Sequence, residues 1–127
     1  MERGEAEYGL KKYEQAFKDL DEAVRLAPDN TDCLKAKARR LSACPDAKFR
    51  NAEAAVTLAR KACELSHWKT AIYLDVLAAA YADAGNFAEA TKWAKEALKD
   101  KGYDAEFGEG ARKRLELYEH TEPFRDE

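Results

Sequence analysis

Three cysteines and two histidines are the side chains of this chain best equipped for metal or nucleophile chemistry. Cys63 and His67 stand four residues apart, a spacing that puts two zinc ligands on one face of a helix. A site needs two more ligands, and Cys33 and Cys44 fall on other elements without a local ligand motif. A cysteine nucleophile with a histidine base would also need an orienting third group and oxyanion donors, and no residue pattern marks either. Cys63 therefore reads as a small buried residue behind Ala62, and His67 as a turn residue. No metal, no cofactor and no enzymatic activity are expected. The other charged constellation is Lys35, Lys37, Arg39 and Arg40. On a helix Lys35 and Arg39 share a face while Lys37 and Arg40 point elsewhere, so the run is not one patch.

Composition narrows the partners. Charged residues make up 37% of the chain and the formal net charge is −3, a balance that disfavours general nucleic-acid binding. No apolar run approaches the roughly 20 residues of a membrane span. The start, MERGEAEYG, lacks the apolar centre of a signal peptide. An odd number of unevenly spaced cysteines is no disulfide framework, and a reducing, cytoplasmic setting fits it best.

The elements that hold these residues are helices. The stretch from Ile72 to Lys99 carries Leu74, Leu77, Ala78 and Tyr81 at spacings of three and four, then Gly85 to close a helix and Asn86 to cap the next. Glu89 stands where a capping box wants an acid. Phe87, Ala90, Ala94, Ala97 and Leu98 continue the period. The same pattern recurs upstream. Tyr13, Ala16, Leu20, Ala23 and Val24 align with Phe87, Ala90, Ala94, Ala97 and Leu98, while Leu34, Ala38 and Leu41 align with Leu74, Ala78 and Tyr81. Gly4 and Ala38 are 34 residues apart; Ala38 and Ala78 are 40 apart, because extra residues enter the middle unit at 44–50 and near His67. The predicted helices run from about Glu2 to Leu10, Tyr13 to Leu26 before Pro28, Asn30 or Thr31 to Ala43, and Asn51 to Leu65. Two more are capped by Thr70 and Asn86, and a last one starts at Asp104 with Phe107, Ala111, Leu115 and Tyr118 on one face. Residues 120–127 read as a polar tail.

The pattern Leu74, Tyr81, Gly85, Phe87, Ala90 and Ala97, with its 34-residue period, resembles the tetratricopeptide repeat. The resemblance covers nearly the whole chain. It implies an all-α fold, a right-handed α-solenoid of three helix pairs (about 2–29, 30–68 and 69–102) closed by a capping helix over 104–119. It also implies that the first helix of each pair lines a concave groove. Lys35, Arg39 and Ser42 then face the groove from one helix, and Ile72, Asp75, Ala79 and Asp83 from another. The function that follows is a protein-interaction scaffold holding an extended peptide of complementary charge. A full carboxylate clamp is not expected, because its asparagine is missing. The wording CPDAKFR, KACEL and YLDVLAAAYADAGNF resembles the C-terminal repeat block of bacterial multidomain proteins. With the clipped first helix, that suggests a fragment whose N-terminal end self-associates, a second functional reading. Trp93 and Trp68 are each expected either packed, Trp93 under the capping helix, or exposed as contacts for a partner, and Phe49 either as a plug at the solenoid edge, the favoured reading, or as a contact residue.

Overall fold

The computed structural model describes the backbone of residues 2–126 and the side chains of residues 10–126. Six α-helices follow one another: α1 (Glu2–Leu26), α2 (Thr31–Ala43), α3 (Ala52–Leu65), α4 (Ala71–Asp83), α5 (Phe87–Leu98) and α6 (Lys101–Glu119). A 3-10 turn, Ala47–Phe49, lies between α2 and α3. No strand occurs among the described residues. Each helix packs on the next, and α4 also touches α2 and α6. Thus α2, α4 and α6 stand side by side as one layer, with α3 and α5 behind them.

The centre of this arrangement is α4, in which nine of thirteen residues are buried. A helix apolar on every side must be enclosed on every side. Leu77 and Leu34 are fully buried in the main core with Ala38, Ala59, Ala62 and Ala97. On the other side Ala78 and Ala82 meet Ala90, Ala94 and Tyr118. Alanine at these contacts lets the backbones approach closely.

The α4–α5 joint follows from local chemistry. Gly85 adopts φ +85°, its N–H bonds Ala82 O at 3.0 Å, and Asn86 N–H bonds Tyr81 O at 2.9 Å. This is the Schellman ending, which glycine enters without steric penalty. Asn86 then accepts from Glu89 N–H at 3.2 Å, and Asn30 and Asn51 cap α2 and α3 in the same way. Glu89 does not close the expected capping box. Its carboxylate instead accepts the Trp93 indole N–H at 2.9 Å, four residues along α5.

Several sequence expectations need correction. The first two predicted helices are one: α1 runs unbroken through Leu10 to Tyr13, since Lys11 and Lys12 are good helix formers and nothing there stops a helix. Two helix pairs, α2/α3 and α4/α5, are therefore flanked by single helices rather than three pairs by one. The side chains of 2–9, including the aligned Gly4, lie outside the described residues. Helix α6 begins at Lys101, earlier than expected, because Asp100 caps it by accepting from Tyr103 N–H at 2.9 Å. Thr70 precedes α4 without a side-chain cap bond. Phe49 does plug the edge, stacked on Phe17 at 5.4 Å and tilted against Tyr13 at 5.7 Å.

The close α4–α5 contact yields a stability prediction. Ala90 is fully buried and Ala88 exposed. Ala90→Leu should destabilise the fold by about 1–3 kcal/mol through overpacking, while Ala88→Leu should change it by less than about 0.5 kcal/mol. Urea unfolding of both variants checks this; equal midpoints would contradict the packing.

Candidate functional site: the α2–α4–α6 groove

Positions 75, 79 and 83 recur every fourth residue and share one face of α4. Asp75 and Asp83 are the only charged residues of that helix. Asp75 is met by Arg114 of α6, whose Nη2 lies 2.9 Å from its carboxylate and 3.4 Å from Tyr103 Oη. Arg114 occupies the inner face of α6, three residues after Ala111 and four before Tyr118. The Asp83 side chain is only 7% exposed and is bracketed by two arginines, Arg125 at 2.8 Å and Arg50 at 3.8 Å.

Arg125 belongs to the stretch expected to be a polar tail. That stretch is docked. Thr121 turns the chain off α6 with φ 57°, Glu122 N–H bonds Leu117 O at 2.8 Å, and Pro123 leads into Phe124. The Phe124 ring lies with the Arg114 guanidinium over it at 5.5 Å. It also packs toward the Ala78/Ala82/Tyr118 cluster. Asp126 donates its N–H to Ala43 O at 2.7 Å, and its carboxylate lies 3.5 Å from Arg39. The residue after it, Glu127, lies outside the described residues.

The docked segment meets the C-terminal end of α2, where Ser42, Ala43 and Cys44 are buried. The last carbonyls of a helix have no partner within it. Here Asn51 N–H bonds Leu41 O, Arg125 donates to Ser42 O at 3.3 Å, Asp126 N–H takes Ala43 O, and Arg50 donates to Cys44 O and Pro45 O. The negative end of the helix dipole adds to the attraction for both guanidinium groups.

Of the predicted groove residues, Arg39, Asp75 and Ala79 meet around a void of about 30 Å³, closed by Ala43, Val76, Arg114 and Phe124. This is room for one water. Arg114, one of the lining residues, has its Nε buried without a hydrogen-bond partner. Lys35 and Arg39 also line an open cleft of about 410 Å³ with Ala36, Arg40 and Asp126. Arg40, assigned by helical phase to another face, thus joins this basic edge, while Lys37 turns away to Asp21 of α1 at 3.0 Å. Lys35 contacts Asp32 of its own helix at 3.9 Å. The Ser42 hydroxyl is fully buried and donates to Arg39 O at 3.2 Å, so Ser42 presents a carbonyl rather than a hydroxyl. Ile72 packs into the main core cluster and does not border the void or the cleft.

Residues 70–101, which are α4, α5 and their joint, match the family model of the tetratricopeptide repeat. The chain carries a tetratricopeptide repeat. No curated protein and no solved structure matches it. Both carboxylates of the groove come from the first helix of this repeat.

Other sequence-marked residues sit elsewhere on the repeat and its neighbours. Trp93 is not buried beneath α6. It stacks on Trp68 at 5.1 Å, with Lys92 over one ring at 4.7 Å and Arg60 over the other at 5.6 Å. Cys63 and His67 do not share a helix face, because α3 ends first and His67 is left-handed at φ 57°. No group of three or more His, Cys, Asp or Glu side chains suited to a metal occurs among the described residues. No described helix is long and apolar enough to cross a membrane.

Burial pushes the Cys63 thiol up to about 12, which nearby Arg60 only partly offsets. A thiol needs its thiolate to react. Brief native alkylation with iodoacetamide at pH 8 should therefore modify half-buried Cys33 first and leave Cys63 and the buried Cys44 unmodified until denaturant is added. Peptide mass mapping reads the order, and early Cys63 labelling would contradict the burial.

Proposed function

We propose that the chain is a scaffold for protein–protein interaction, taking a segment of a partner protein between α2, α4 and α6 and doing no chemistry of its own. Tetratricopeptide repeats generally serve such interactions. The single observation that supports this reading is the seat of Phe124–Asp126. A non-helical segment there sets an aromatic against the groove, a cation on Asp83 and a carboxylate beside Arg39. Partly exposed charge pairs contribute about 0–1 kcal/mol each and are screened by salt. Affinity in the micromolar range, near −8 kcal/mol, is the corresponding expectation.

A random heptapeptide library displayed on phage, selected on the full chain, tests the groove. Lys35→Glu with Arg39→Glu should weaken the selected peptides at least tenfold. Arg60→Glu with Lys92→Glu, at the tryptophan pair, should not. Circular dichroism verifies that both variants remain helical. Binding indifferent to the first pair, or lost with the second, would move the site elsewhere.

A second reading, self-association at the N-terminal end, is favoured by α1. None of its side chains from Leu10 to Leu26 is fully buried, and Leu26 is 67% exposed. The half-buried stripe Tyr13, Phe17, Leu20 and Val24 rests on α2, on Phe49 and on the edges of the core clusters, without any of its residues being fully enclosed. Sedimentation at rising concentration should show association that Leu26→Lys reduces. A strict monomer at millimolar concentration would remove this reading.

A further inference from the structure

We propose that the groove recognises an aromatic, a basic and an acidic residue in consecutive order, and that Phe124, Arg125 and Asp126 occupy it as a built-in competitor. This rests on the reading of the groove as a peptide site and names the partner segment by its chemistry.

Each position of the triplet has its own reader. The aromatic residue is held by the Arg114 guanidinium, whose other side is fixed by Asp75. The basic residue is read by Asp83, a nearly enclosed carboxylate, and by Ser42 O at the end of α2. The acidic residue is read through both backbone and side chain, by Ala43 O and by Arg39, beside the Lys35/Arg40 edge. Exchanging the last two residues would bring like charges together at two points, Asp against Asp83 and Arg against Arg39. Order, and not composition alone, is therefore selected. The approach is also constrained: Pro123 restricts both itself and Glu122, so the segment leaves Thr121 already limited in conformation.

A built-in occupant competes with any partner of the same chemistry at a high effective concentration. The probe is a capped peptide of residues 121–126, compared with one whose Arg and Asp are exchanged and one with Ala for Phe. The Phe124→Ala/Arg125→Ala variant of the chain should bind the first peptide at least tenfold more tightly than the wild type does. It should bind each altered peptide at least tenfold more weakly than the first. Equal binding of the exchanged peptide would overturn the ordered readout; equal affinity of wild type and variant would overturn the competition. Should the variant lose helicity, NMR on the wild type replaces it: excess peptide should shift the Asp126 amide toward an unbonded value, and an unmoved amide under bound peptide overturns the proposal. If phage-selected peptides bind through Lys35 and Arg39 but lack the triplet, this inference fails while the groove reading stands. If no peptide binds there, both fail.

Discussion

Everything in this fold is placed by the enclosure of α4. Its neighbours α2, α3, α5 and α6 all touch it, and the contacts run through alanines at 78, 80 and 82. Small residues fix the separation of the helix axes within narrow limits, because interiors pack at crystal-like density. Only Asp75 and Asp83 bring charge to such a helix. They are accommodated because arginines meet them: Arg114 of α6 lies on Asp75, and Arg50 and Arg125 lie on Asp83. The candidate groove is this charged face of α4, bordered by α2 and α6.

That enclosure explains why arginines gather where they do. A carboxylate as shielded as Asp83 is costly unless paired, so Arg50 and Arg125 both reach it. The same two guanidinium groups satisfy carbonyls at the end of α2. One of these arginines arrives on a loop inside the stack and the other on the segment that follows α6. Asp83 is thus neutralised from two independent stretches of the chain. The seat is held by several kinds of contact at once: the Phe124 ring against the α4/α5/α6 cluster and under Arg114, Arg125 on Asp83, and the Asp126 N–H on Ala43 O.

What was legible in the sequence was what local chemistry decides. Gly85 with Asn86 specified a joint, Asn30 and Asn51 specified caps, and an aromatic inside a loop, Phe49, specified a plug. Missed features were settled by competition between partners far apart in sequence. Glu89 had two eligible donors, its own helix start and the Trp93 indole, and only packing chose between them. Alignment with the later repeats divides α1 in two, but Leu10 to Tyr13 contains no stop signal and the helix runs through. The docked segment is polar in composition, with Phe124 a single aromatic among charged residues. Its readable sign was Pro-Phe in a stretch with no other apolar residue. Arg114 carried a sign as well, since its phase matches Ala111 and Tyr118.

Three helices end with a left-handed residue, and the comparison between them is instructive. At Gly85 the conformation is free of strain, and the joint needs no outside support. His67 and Trp68 at the end of α3, and Thr121 at the end of α6, adopt it at φ 57–59° with side chains that resist it. Each costs about 1–2 kcal/mol, and Thr121 is β-branched, the least tolerant type. Such residues persist where surrounding contacts over-determine them. Both strained joints are followed by a docked aromatic: Trp68 itself lies on Trp93, and Phe124 lies three residues past Thr121 against Arg114. The docking that holds each strained turn differs in its origin. Trp68 is stacked on α5, whereas the turn at Thr121 is held by Phe124 and by the Arg125 and Asp126 contacts to α4 and α2. Strain at Thr121 is therefore offset by contacts far away in sequence, while the joint at Gly85 needs none.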